Sequence, residues 1–128
     1  MPDAINATEK AAFDRLDAQI TGAGVYQHAP NNAAPPVVII GDIDASPIGA
    51  KDDPDRRIAM IVVVVTEGQQ RKPCSDLVAQ VEQAIDGVTM TVDGYSIELT
   101  VESSQVVLSG DAETYVGTVN FTGFALAA

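Results

Sequence analysis

From Pro73 to the last residue, Ala128, this chain contains no lysine and no arginine. All seven basic residues (Lys10, Arg15, Lys51, Arg56, Arg57, Arg71 and Lys72) lie at or before position 72, where ten acids accompany them; eight more acids follow with no base among them. The formal charge is −11 and the pI about 4.1. Gripping nucleic acid or an anionic membrane by electrostatics needs clustered Lys and Arg, so this charge argues strongly against that class. A single cysteine, Cys74, excludes an internal disulfide and a Cys-rich metal site. A single histidine, His28, removes most His-based catalytic and metal designs. No apolar run nears the ~20 residues that a membrane-spanning helix needs. The longest, Ala59–Val65, has the length of a strand. The N-terminal residues show neither the basic start nor the apolar core of a signal peptide, so export by that route is not expected.

What is present suits one soluble globular domain. The chain has 128 residues, of which 46% are hydrophobic and 20% charged, enough to bury a core and with little room for a second domain. The late carboxylates Asp76, Glu82, Asp86, Asp93, Glu98, Glu102, Asp111 and Glu113 have no sequence neighbour to neutralise them. Either they face water, which is the plainer reading, or they face something that tolerates a negative surface.

Periodicity sets out the elements. Asn6–Ile20 reads as a helix, with Ala12, Phe13, Leu16 and Ile20 on one face and Gly22 as its stop. Gly22–Pro36 is loop, with Val25-Tyr26 a short extended anchor. Val37–Ile40 reads as a buried strand ending at Gly41. Asp42–Asp55, rich in Asp, Pro and Gly, reads as a long exposed loop or arm. Arg57–Thr66 is the strongest strand, and its unbroken β-branched run implies cover on both faces. Ser75 is the expected N-cap of a second helix whose stripe is Leu77, Val78, Val81, Ala84 and Ile85, closed by Asp86-Gly87. Val88–Val92 turns through Asp93-Gly94 into Tyr95–Ser103, where Tyr95, Ile97, Leu99 and Val101 alternate with Ser96, Glu98, Thr100 and Glu102. Val106–Leu108 and Tyr115–Leu126 complete the order α-β-β-α-β-β-β-β. The expected fold is therefore α+β: one domain, a mainly antiparallel sheet with two helices packed on one face.

Chemistry is scarce along this chain. A nucleophilic site would have to join Cys74 to His28, which nothing in the sequence brings together, and a lone Cys before a helix is usually a small filler. Asp42-Ile43-Asp44 and Asp52-Asp53-Pro54-Asp55 concentrate hard oxygen ligands, but the spacing lacks the glycine and the glutamate of a calcium loop. Gly22-Ala23-Gly24 follows a helix and has no lysine behind it, so it makes no phosphate cradle. Glu98 and Glu102 share a strand face with no visible partner to separate their acidities. No catalytic residue, metal site or cofactor is expected. An apolar end, Phe124-Ala125-Leu126-Ala127-Ala128, would invite pairing with another subunit.

Val25-Tyr26-Gln27-His28-Ala29-Pro30, followed by Pro35-Pro36-Val37-Val38-Ile39-Ile40-Gly41-Asp42, resembles a stretch of the tail terminator (tail completion) proteins of long-tailed bacteriophages and phage-like gene transfer particles. The order of helices and strands is similar over nearly the whole chain, as is the ending Asp111…Tyr115-Val116-Gly117 into Val119-Asn120-Phe121. The resemblance implies a non-enzymatic virion protein, assembled in the host cytoplasm. It would form a homohexameric ring that caps the tail tube, stops its growth and joins it to a neck protein on the head side. DNA would pass through the ring without specific binding. On that reading Glu98 and Glu102 are the candidates for an acidic lumen that repels phosphates. Asp42, Asp44, Lys51, Asp52, Asp53, Asp55, Arg56 and Arg57 are the candidates for an arm that contacts the next subunit or ring. An unstructured surface loop fits the arm's composition equally well. A neck stopper, a tube subunit, or a small acidic ligand- or metal-binding domain are the alternatives.

Overall fold

The computed structural model describes residues 3–27, 34–49 and 53–127. His28, Lys51 and Asp52 lie outside these. Helix α1 spans Ala4–Gln19, followed by strands β1 (Gly24–Tyr26), β2 (Val37–Pro47) and β3 (Arg56–Glu67). Helix α2 (Lys72–Ile85) precedes β4 (Thr89–Val92), β5 (Tyr95–Leu108) and β6 (Thr114–Ala127).

Asp3 caps α1, its carboxylate accepting from the backbone N–H groups of Ile5 and Asn6 at 3.0 and 3.2 Å. This satisfies donors that the first helical turn leaves free. The buried face of α1 is Ala4, Ala7, Ala11 and Ala12 with Leu16 and Ile20, and side chains this small let the helix lie close to its neighbours. α2 starts four residues earlier than Ser75 as N-cap would set it. Arg71 occupies the N-cap without a side-chain hydrogen bond, and Pro73 stands in the first turn, where its fixed φ and missing N–H cost nothing. The Lys72–Asp76 ion pair at 2.9 Å spans that turn. Leu77, Val78, Val81, Ala84 and Ile85 form the buried stripe as expected. Arg15 on α1 donates from Nε to the Ala84 carbonyl at 2.8 Å, fastening α1 to the C-terminal turn of α2, where a cation is favourable.

The six strands form one sheet in the order β1-β2-β3-β6-β5-β4, antiparallel throughout except for β1 beside β2. The expected architecture holds: two helices on one face of a mainly antiparallel sheet. Ile58, Met60, Val62 and Val64 on β3, Val119, Phe121 and Ala125 on β6, and Ile97 and Leu99 on β5 meet the helices and are buried. Each large side chain among them contributes about 1.5–3 kcal/mol by leaving water.

Three details differ from the sequence reading. Val25-Tyr26 belongs to a paired strand, β1. The runs 95–103 and 106–108 are one strand, β5, continuous through a bulge between Val101 and Ser103. Finally, the exposed loop does not begin at Asp42, because β2 continues to Pro47. Asp44, Ala45, Ser46 and Pro47 pair with Ala59, Ile58, Arg57 and Arg56. Gly41 is where the apolar run ends, but it marks a bulge and not a strand end: Gly41 and Asp42 together oppose Ile61. Past it Ile43 and Ala45 turn back towards the helix side and pack on the core.

Candidate functional site

The helices leave the other face of the sheet without a covering layer among the described residues. Registers across the strands place its rows. One row runs Tyr26, Ile39, Val63, Thr118, Gln105; the next Ile61, Asn120, Ser103; the next Asp44, Ala59, Thr122, Thr100; and then Ser46, Arg57, Phe124, Glu98, Thr89. Ile61, Val63 and Val65 on this face are half-buried, not covered, so the two-sided burial expected for β3 is met by the helices on one side only. The centre of this open face carries no charge. Asp44, Arg57, Glu98 and Glu102 sit towards one end of it, and Glu67, paired with Thr114, ends β3 at the other.

Glu98 lies on the open face, opposite Phe124 on β6 and Thr89 on β4. The Thr89 hydroxyl donates to Glu98 Oε2 at 3.3 Å. The face is not free of compensating cations as the sequence suggested. Arg57 is in the same row, its guanidinium 5.9 Å from the centroid of the Phe124 ring, so one aromatic ring separates Arg57 from Glu98. The sequence hid this because Arg57 and Glu98 are brought together through a third strand.

Glu102 does not continue the alternation that carries Glu98. It is the additional residue between the pairs Val101–Phe121 and Ser103–Asn120. Beyond it the parity of β5 reverses, and Val106, not Val107, packs towards the helices. Glu102 lines a shallow depression on the open face with Asp44, Ala59, Ile61, Ser103 and Asn120. Inside it Asn120 Nδ2 donates to Ser103 Oγ at 3.1 Å. A lumen candidate and an arm candidate, Glu102 and Asp44, thus border one hollow.

The remaining arm candidates divide. Asp42 and Asp44 belong to β2. Arg56 is turned onto its own chain, Nη1 donating to the carbonyls of Asp53 at 2.6 Å and Asp55 at 2.8 Å. Asp53 accepts from the Asp55 N–H at 2.9 Å, and Asp55 Oδ1 accepts from the Ala127 N–H at 2.7 Å. Tyr95 donates its hydroxyl to the Pro54 carbonyl at 3.3 Å. The base of the loop is thereby tied to the end of β6 and the start of β5.

Cys74 is fully buried against β6. Burial pushes its thiol above the usual cysteine value, and contacts with Thr66 and the Gly117 backbone offset this only in part, the reverse of an activated nucleophile. Among the described residues no three His, Cys, Asp or Glu side chains are grouped closely enough to hold a metal ion.

Residues 11–124 match the sequence profile of the family described as tail completion protein gp17. The chain belongs to that family. As a tail completion protein it is a structural component of a virion tail, which agrees with the resemblance read from Val25-Tyr26 and the strands that follow. A chain from a structure described as the virion of a native gene transfer agent particle superposes with a TM-score of 0.86 over 98% of both chains, at 17% identity. A second solved chain, which carries no functional description, superposes at 0.58 over 94% of both, at 21% identity. At such identities the likeness is one of fold. No curated protein sequence matches significantly. No described helix of this tail completion protein is long and apolar enough to cross a membrane.

Proposed function

We propose that this tail completion protein is a tail terminator. On this reading it forms a homohexameric ring on the end of the tail tube, stops the tube's growth and receives the head-side neck protein. DNA slides through the ring past the open sheet face. Family membership supports the tail location. The observation that carries the rest is the division of the sheet into a face sealed by α1 and α2 and an open face. On the open face Asp44, Glu98 and Glu102 outnumber the single arginine, Arg57, among the described residues. A negative wall offers no Lys or Arg to take the place of the phosphates' own counter-ions, so DNA passes without being held.

Glu98→Lys with Glu102→Lys tests this directly. Both side chains are exposed, so the fold should tolerate the change. Particles carrying the double variant should eject DNA more slowly, and the defect should shrink as salt rises. Ejection unchanged at low salt would remove the lumen role. Rings that stack into long tubes when the purified protein is imaged would point to a tube subunit instead.

A further inference from the structure

Among the described residues the sheet has two unpaired stretches of edge, at diagonally opposite corners. β1 covers β2 only at Val37–Ile39. Among the described residues no strand lies against the outer side of β2 from Ile43 to Pro47, beside Arg56–Met60 of β3. At the other edge β4 covers β5 only from Tyr95 to Glu98. The turn after α2 adds two hydrogen bonds, Gly87 N–H to the Leu99 carbonyl at 2.9 Å and the Val101 N–H to Asp86 Oδ1 at 2.9 Å. Past the bulge no described strand pairs with the outer side of Ser103–Leu108, although its inner side is paired with β6 along its whole length.

We propose that copies of this chain join head to tail by strand pairing, the Ser103–Leu108 edge of β5 in one copy against the Ile43–Pro47 edge of β2 in the next. This rests on the ring reading above and adds which surfaces meet. Exposed edges are ordinarily blunted by charge, proline or short length. Ser103-Ser104-Gln105-Val106-Val107-Leu108 has no charged residue, no proline and no glycine, in a chain of net charge −11. Its Val107 and Leu108 are 49% and 42% exposed. Copies that repel one another over most of their surface approach at least cost along this uncharged edge. The β2 edge opposite it carries a single acid, Asp44, and ends at Pro47.

Strand direction agrees. β2 and β6 run one way, β3 and β5 the other, so β5 placed beside a neighbour's β2 is again antiparallel and the alternation continues unbroken. Side-chain parity agrees too. Val106 and Leu108 on β5, and Ile43 and Ala45 on β2, point to the helix side, whereas Ser103 and Gln105 meet Asp44 and Ser46 on the open side. Val106 and Leu108 thus share the helix side with Ile43 and Ala45, while on the open side Ser103, Gln105 and the apolar Val107 share a face with Asp44 and Ser46. Because the two edges lie at opposite corners, joining them imposes a stagger between copies, the geometry a sheet needs to close on itself. A two-fold β5–β5 contact would stop at two copies, whereas unlike edges generate rings.

The test mixes two single-site variants on assembled rings. Chains carrying Ser46→Cys are combined with chains carrying Gln105→Cys and treated with a short bis-maleimide, Cys74 being buried away from the reagent. The expected product joins position 46 of one chain to position 105 of another. A product joining 105 to 105 would overturn the proposal in favour of two-fold pairing. Val107→Lys on the same edge should lower the ring fraction roughly tenfold or more, with the melting temperature of the monomer unchanged. Rings at the wild-type level in that variant would reject the edge contact and leave the ring reading standing. Wild-type protein that never forms rings, free or on tail tubes, would reject both.

Discussion

Asp42 and Glu102 occupy bulges on two strands that do not touch, yet both stand at one level of the sheet. Gly41 and Asp42 oppose Ile61 on β3, Ile61 pairs with Asn120 on β6, and Asn120 pairs with Ser103, the residue after Glu102. Bulges bend the strand that carries them and increase its twist. Two at one level, on either side of the central β3–β6 pair, bend the sheet across a single line and place an exposed acid at each end of it. The open face is therefore curved where its carboxylates collect.

Asp111 provides the pH prediction. Its carboxylate accepts from Ser109 Oγ at 2.6 Å, from the Glu113 and Thr114 N–H groups at 2.9 Å each, and from Thr114 Oγ1 at 2.8 Å. These donors hold its pKa far below the usual carboxylate range, the Ser109 hydroxyl first among them. A carboxylate depressed in the folded state contributes fully above its unfolded value, about pH 4, and loses the contribution as pH falls below that. Amide exchange at Glu113 and Thr114 should stay slow from neutral pH to about 4 and then quicken relative to the core. Asp111→Asn should remove the pH dependence and leave the turn looser throughout.

Two strand glycines should respond unequally to alanine. A Cβ on Gly123 would overlap the Glu98 carbonyl oxygen and lie 2.8 Å from Leu99 Cα, both backbone atoms of β5, so β5 and β6 would have to part. A Cβ on Gly117 meets side chains, the Val78 methyl at 2.5 Å and Cys74 Sγ at 3.1 Å, which can shift with α2. Overpacking costs of about 1–3 kcal/mol are usual, with more where backbone is displaced. Gly123→Ala should sit at or above the top of that range and Gly117→Ala near its bottom, read by urea denaturation. Equal losses would contradict the close β5–β6 approach.

Cys74 should behave as a core atom. Its thiol should react with a maleimide only as fast as the protein unfolds, and Cys74→Ser should destabilise the fold by replacing a fully buried sulfur with a smaller, more strongly hydrated hydroxyl, about 1–3 kcal/mol. Rapid labelling of the native protein would contradict its burial.

The segment between β2 and β3 offers a narrower deletion than its sequence suggests. Removing 45–54 would cut into β2 and take away Asp53, whose carboxylate and carbonyl hold the loop base. Replacing residues 48–52 with a Gly-Ser linker spares both. That variant should melt like the wild type and fail to attach to tails; full attachment would exclude the loop from the interface.

Where a segment's own pattern decides its structure, the sequence was a sufficient guide. The stripe from Leu77 to Ile85, the Asp93-Gly94 hairpin and the alternation from Tyr95 to Val101 all stand. What it concealed depends on residues far apart. Polar Asp44, Ser46 and Pro47 read as loop because nothing local makes them a strand; they are held by β3, already ordered through its own apolar side. The bulge at Glu102 adds one residue without changing composition, so Glu98 and Glu102 looked equivalent when they are not. Arg57 looked like part of an arm because its row mate Phe124 is contributed by the final strand. Gly41, at the end of an apolar run, was the one local sign that a bulge was present.

The orientation of the open sheet face in the assembled tail decides the account. A three-dimensional reconstruction of this protein seated on the end of a tail tube should show a single six-fold ring with α1 and α2 on the outside and Glu98 and Glu102 around the bore. Those two side chains on the outer wall, or rings that continue to stack past the end of the tube, would contradict it.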